Sequence, residues 1–392
     1  MELLLGFFFI LILSDSRQDS LAWAADVKNE CIVLLTLFLL LNRKDFGAFN
    51  TFYQKFIPFF VIAFICVFYS PSEIVSTCFQ KTLSYLFLLL VTSNYALRCH
   101  REHGIVFYRT LVYFGMGILI FGLALKYINP AQAYGEEHRF RGLLGNPNGL
   151  GVFAVLVFLT FSAIKNTFPD IFTRKENIVF YGSVFLSLLM SDSRNSLFAI
   201  LIFMFFSYFY KISPFLGFIL FLMLGLSYEY ITTNLVQIIG QLGLSEYLRV
   251  ETLEKASGRF VAWSFALDNI RQSVWIGKGF EYTNYIYALY ADYLSALGHQ
   301  GNAHNSYLTL WLDTGLLGLA AYLWAFVSTF FQASKKTKLA FPIMYAIFFS
   351  TFFESWLTAS LNPFTIQLFL ILTVLTSEEV FQTKTQAALL VQ

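Results

Sequence analysis

The sequence predicts an all-α polytopic membrane protein with about twelve transmembrane helices, N-in and C-in, and one large outer loop that contains an amphipathic helix. Three observations carry this. Of 392 residues, 57% are hydrophobic and only 13% charged, against roughly 25% charged in an average soluble domain. The apolar residues fall in blocks of 13 to 25 separated by short polar patches, as repeated bilayer spans require. Lysine and arginine, finally, are distributed unevenly among the connecting loops. The formal charge of +2 comes without a basic stripe, which excludes a nucleic-acid partner.

The apolar blocks lie at about 1–13, 22–41, 56–71, 82–97, 105–128, 150–164, 178–191, 197–210, 214–231, 307–331, 339–357 and 364–377. The first lacks a basic start and a small-residue cleavage site, so it reads as a first membrane helix and not as a removed signal peptide. Several blocks fall short of the roughly 20 residues a straight span needs, so their ends must extend into the flanks. Every even-numbered loop is basic: Arg43, Lys44 and Lys55; Arg98 and Arg101; Lys165, Arg174 and Lys175; Lys211; then Lys335, Lys336 and Lys338. By the positive-inside rule these loops and both termini face the cytoplasm. Cys31, Cys66, Cys78 and Cys99 have no metal-binding or redox spacing. They read as small buried residues, with a Cys31–Cys78 bridge as the lesser alternative.

The chain divides into helices over 1–231, a large outer loop over 232–306, and helices with a tail over 307–392, all in one membrane domain. The loop holds apolar and aromatic residues throughout, so it is folded and, at this length, functional. Within it, Phe260, Trp263, Leu267 and Ile270 recur at helical intervals. They predict an amphipathic helix at the bilayer surface, capped by Ser257 and ended by Gly277 and Gly279.

Four outer motifs hold polar groups. The fifth loop contains Arg141 followed by Gly145-Asn146-Pro147-Asn148-Gly149, a strong turn signal whose glycines admit close backbone approach. The seventh is a tight hairpin, Asp192-Ser193-Arg194-Asn195-Ser196. Arg259 opens the amphipathic helix, and His304-Asn305 stands where the long loop meets the tenth block. A guanidinium at a membrane edge is costly unless paired or facing a cavity, and its planar fork suits phosphate oxygens. Arg141, Arg194 and Arg259 on one face therefore predict a cage for a diphosphate, with His304 beside it. For each residue alone the simpler reading is an interfacial or solvated side chain; their convergence favours a site. Gly315 and Gly318 read as close-packing positions below it. Glu354, inside the eleventh block, takes a structural or substrate-lining role. No HExxH, paired-carboxylate or nucleophile-elbow pattern is present, which predicts no metal and no cofactor.

These motifs resemble the O-antigen ligase and polymerase superfamily of bacterial polysaccharide enzymes. The resemblance rests on His304-Asn305 with Gly315-x-x-Gly318, on Ser-Gly-Arg259-Phe-x-x-Trp263 continuing through Ile276-Gly-Lys-Gly279, on Arg141-Gly-x-x-Gly-Asn-Pro-Asn-Gly, and on the Ser-Arg194-x-Ser hairpin. They run in order from about 139 to 330, roughly half the chain. The N-terminal third resembles the family only in its helix pattern. The resemblance implies a glycosyltransferase of the bacterial inner membrane, active on the periplasmic face, that takes glycan from undecaprenyl diphosphate without a nucleotide sugar or metal. A ligase passes the glycan to a lipid A core sugar; a polymerase passes it to another repeat unit. His304 is then the candidate base, since imidazole works near neutral pH, and Asn305 and Trp263 support it. The single long outer loop favours the ligase. A lipid-linked sugar transporter is the rival from another class, but such proteins place their sites near the midplane between two related halves, which are not evident here.

Overall fold

The computed structural model describes residues 1–134, 139–210, 213–227, 257–357 and 361–382. A helix coincides with each of the twelve apolar blocks. These are α1 (Glu2–Asp15), α2 (Ala22–Leu41), α3 (Ile57–Val67), α4 (Val75–His103) and α5 (Ile105–Ile128), then, after the short α6 (Pro130–Ala133), α7 (Pro147–Thr167). There follow α8 (Arg174–Ser191), α9 (Arg194–Phe209) and α10 (Pro214–Leu226). The long loop supplies α11 (Ser257–Ile270), α12 (Tyr282–Leu289) and α13 (Ala291–Ala296). The chain then closes with α14 (Ser306–Ser334), α15 (Ala340–Phe353) and α16 (Pro363–Thr376). Among the described residues, α4, α5, α7 and α14 are long and apolar enough to cross a membrane unaided. The others are shorter or carry more charge: α2 and α8 hold three charged residues each near their starts, and the 14 residues of α1 make a rod of only about 21 Å, against a hydrocarbon core of about 30 Å.

The core is built on α7 and α16, which pack together. In α7 the most apolar window is 89% buried, and every residue of α16 is buried. Such all-round burial marks the centre of a bundle. Around them α2, α8, α9 and α10 turn large apolar side chains outward, among them Leu41, Phe185, Met204 and Met223. On a protein of this composition that surface suits lipid. Among the described residues asparagine starts four of the α-helices: Asn129, Asn146, Asn305 and Asn362 each accept a first-turn amide, satisfying donors the helix cannot.

Contacts separate the loops into two ends of the bundle. At one end Lys55 donates to Ser328 O and Gln332 Oε1 at 2.9 and 2.7 Å, Lys165 to Asn177 at 2.9 Å and Lys336 to Thr376 O at 2.7 Å. Arg101 pairs with Glu379 at 2.6 Å and Arg109 pairs with Glu176. All of these belong to the even-numbered connections or their flanks. The odd-numbered connections meet at the other end, where the amide of Gly145 donates to Asp15 Oδ2 at 3.0 Å.

One feature of that second end extends the sequence reading and another departs from it. In α11 the buried stripe is Ala262, Ala266 and Ile270, while Phe260 and Leu267 stand 49% and 42% exposed. The helix turns its small residues inward because Tyr287 lies against them and donates to Ala262 O at 2.6 Å; burial raises the phenol's pKa and keeps that donor protonated. The capping side chain of Ser257 and the segment 228–256 lie outside the described residues.

The departure is in α14. Gly315 has φ 72° and ψ 176°, so the helix is broken there into Ser306–Thr314 and Leu316–Ser334. The stretch Val274–Gly279, expected only to end the amphipathic helix, fills the break. Leu316 N donates to Val274 O at 2.9 Å and Leu317 N to Trp275 O at 3.3 Å; in return Lys278 N donates to Leu312 O and Gly279 N to Asp313 O, at 3.3 and 2.8 Å. Backbone groups freed by the break thus find partners within the protein, as the apolar surroundings demand. Gly277 is obligatory here, because a Cβ would lie 2.3 Å from the Asp313 carbonyl carbon. Gly318, one turn below, lies against Thr314 and Ile62. Asp313 accepts from Thr283 N and Oγ1 at 2.9 and 2.7 Å, tying α12 to the upper half-helix. The four cysteines are free.

Candidate active site

The upper half-helix of α14 begins with Asn305, whose side chain accepts from Tyr307 N and Leu308 N at 2.9 and 3.1 Å. His304 precedes it in a left-handed conformation with φ 45°, and its amide donates to Asn302 Oδ1 at 3.0 Å. A non-glycine residue held there marks local strain, and such strain gathers at functional sites. Trp263 of α11 supports the turn by donating from Nε1 to Ala303 O at 3.0 Å. Its ring meets that of Phe352 edge-on at 5.4 Å.

Facing the imidazole is Glu354. It does not continue α15: with φ −142° and ψ 142° it is the residue at which the chain leaves the helix. Its Oε2 lies 3.8 Å from His304 Nδ1 and its Oε1 lies 3.4 Å from Arg259 Nη2. The carboxylate is therefore shared between an imidazole and a guanidinium. Its side chain is 16% exposed, against 29% for Arg259 and 33% for His304, so the acid is the deepest of the three. Arg259 also lies over the Phe353 ring at 5.6 Å, a favourable cation–π placement. With the Asn195 amide oriented to satisfy both partners, its oxygen accepts from Arg259 Nη1 and Nη2 at 3.1 and 3.3 Å. On the opposite edge of the imidazole, Nε2 lies 3.2 Å from where a Cβ on Gly301 would stand, so any side chain there would crowd that nitrogen.

The remaining expected site residues are arranged differently. Arg194 opens α9 next to Asn195, half-buried. Arg141 donates from Nε to Gln132 O at 3.2 Å and from Nη1 to Gly145 O at 3.3 Å, holding its own loop. Asn146 caps α7 by accepting from Gly149 N at 2.7 Å. Asn148 accepts from Arg139, which also donates to Ser191 O and Asp192 O at 2.9 and 3.1 Å. Arg139, not Arg141, thus links the fifth loop to the hairpin carrying Arg194 and Asn195. Close approach completes the link, since a Cβ on Gly151 would lie 2.6 Å from Ser193 Oγ. Replacing Arg139 with Gln should cost about 2 kcal/mol of stability through these charged donors, measurable as a lower thermal midpoint in detergent; an unchanged midpoint would show the link to be dispensable.

Sequence reasoning overlooked Asn195 and Arg139. Each sits within two residues of an arginine that was selected, but neither residue type nor spacing says which side chain turns inward. Among the described residues, no group of three or more His, Cys, Asp or Glu could hold a metal ion.

A bundle of apolar helices with an imidazole, a carboxylate and a guanidinium gathered at one end defines a multi-pass membrane protein with a polar site at its surface. The family model described as O-antigen ligase matches residues 178–323, and this match supports the O-antigen ligase and polymerase superfamily, whose members are membrane glycosyltransferase-like enzymes. The matched span includes Arg194, Asn195, Arg259, Trp263, His304, Asn305, Gly315 and Gly318, but neither the Arg141 loop nor Glu354. No curated protein matches the chain.

Proposed function

We propose that this protein transfers glycan from undecaprenyl diphosphate to a sugar hydroxyl of lipid A core, on the periplasmic face of the bacterial inner membrane. The observation that carries the reading is the sharing of Glu354 between His304 and Arg259, at 3.8 and 3.4 Å. In this reading His304 takes the proton of the acceptor hydroxyl through Nε2, and Glu354 orients the ring and balances the imidazolium that forms. The acceptor oxygen bonds to the anomeric carbon as the bond from that carbon to the diphosphate oxygen breaks. Direct attack from the opposite side inverts the anomeric centre. Arg259, steadied by Asn195, and Arg194 take up the charge developing on the leaving diphosphate, so guanidinium groups do the work of a metal. Arg141 shapes the loop beside them.

The same residues would serve a polymerase, in which the acceptor is another repeat unit. Phenotype separates the two: loss of a ligase leaves polymer on the carrier, and loss of a polymerase leaves single repeats on lipid A core. The direct test uses purified protein in nanodiscs with carrier-linked glycan and lipid A core, without nucleotide. Glycosylated core is the expected product. Movement of the carrier-linked glycan between leaflets with no transfer would replace the enzyme by a transporter. Arg259→Lys should lower transfer by about 10²-fold, because a point charge replaces a fork that reaches Asn195 and phosphate together; wild-type turnover would remove Arg259 from the diphosphate site.

A further inference from the structure

The acid of the site sits on a stretch without helical support, and hydroxyl groups hold it in place. After α15 ends, Glu354–Leu357 runs alongside the first turn of the upper half-helix of α14. Ser306, fully buried, donates its hydroxyl to Glu354 O at 2.7 Å and accepts from Leu357 N at 3.3 Å. The Ser355 hydroxyl accepts from Asn305 N at 2.9 Å and lies 3.3 Å from Thr309 Oγ1. The Glu354 carbonyl and the residues after it are thereby pinned to the residues that follow His304.

We infer that Ser306 and Ser355 are positioning residues, which clamp the Glu354 segment to the helix start and so set the distance between carboxylate and imidazole. Resting on the function proposed above, this adds the means by which two groups from separate helices keep register. The reason is geometric. His304 is fixed to α14 through the Asn305 cap, Glu354 is fixed to α15 only through its end, and a 1 Å displacement between reacting groups costs about 10²-fold in rate. Each serine contacts main chain on the opposite element and neither contacts the carboxylate or the imidazole itself.

Transfer kinetics of Ser306→Ala and Ser355→Ala in nanodiscs, each in wild-type and Glu354→Gln backgrounds, test this. Either serine variant should lower kcat by 10-fold or more with both KM values within about threefold, an effect of the size misplacement produces. Ser355→Thr, which keeps the oxygen at a half-buried position, should restore most of the rate. With Glu354→Gln already present, a serine replacement should cost less than threefold more. Equal losses in both backgrounds, or wild-type kcat in folded single variants, would overturn the clamp. If Ser306→Ala fails to fold, Ser355→Ala carries the same comparison. Loss of activity in His304 and Glu354 variants alongside unaffected serine variants would sink the clamp alone, whereas full activity without His304 would sink the function it rests on.

Discussion

Replacing His304 with asparagine is expected to lower glycan transfer by about 10²–10⁴-fold, the usual contribution of a positioned general base. Asparagine is the informative choice because His304 occupies a left-handed backbone position, φ 45°, which asparagine tolerates better than alanine. Neither the Asn305 cap nor the Trp263 hydrogen bond to Ala303 depends on the imidazole. Thermal unfolding and membrane insertion should therefore stay near wild type while turnover collapses. Glu354→Gln should act in the same direction with a smaller loss, since the ring remains but its counter-charge does not. Near wild-type transfer by an inserted, folded His304→Asn protein would refute the base assignment, and the search would move to another group able to take the acceptor's proton.

Gly315→Ala should cause a large loss of stability at this end of the bundle. The added Cβ would lie 2.3 Å from Trp275 O and 2.6 Å from Ile276 Cα, both main-chain atoms that cannot swing aside. The φ of 72° adds backbone strain, so a cost of about 3 kcal/mol or more is expected. Displacing Val274–Gly279 would leave the amides of Leu316 and Leu317 without their present acceptors, an expensive state in apolar surroundings. The measurement is thermal unfolding in detergent together with yield of inserted protein. Gly318→Ala is the comparison: its added Cβ would also crowd Thr314, but its backbone is helical and meets no main-chain atom of Val274–Gly279, so a smaller loss is expected. Equal behaviour of the two variants would show that the broken helix is not required.

Much of the architecture was legible because hydropathy is a local property. Each apolar block coincides with a helix, and the uneven distribution of basic residues reappears as two sets of contacts at opposite ends. The turn signal at Asn146-Pro147-Asn148-Gly149 became a capped helix start. What the sequence left open was decided by tertiary contacts. In α11 Phe260 and Leu267 stay exposed, as on a helix at a surface, while Ala262 and Ala266 turn inward against Tyr287. Glu354 looked like an acid within a helix, since the block around it is apolar; the helix ends one residue earlier.

The sequence by itself determined the helices, the uneven distribution of basic residues among the connections, and a short set of polar residues at one end, because each depends on residue type and spacing along the chain. Only the tertiary structure decided how that set is divided. Arg259 reaches Glu354 and Asn195 while Arg141 turns back on its own loop, and His304 meets a carboxylate fifty residues away. The break at Gly315 belongs to the same class of fact: a glycine permits it, but the backbone of Val274–Gly279 has to arrive and supply the hydrogen bonds that hold it open. Which charge faces which partner depends on where separate helices end, and helix ends are fixed by capping and packing and not by hydropathy.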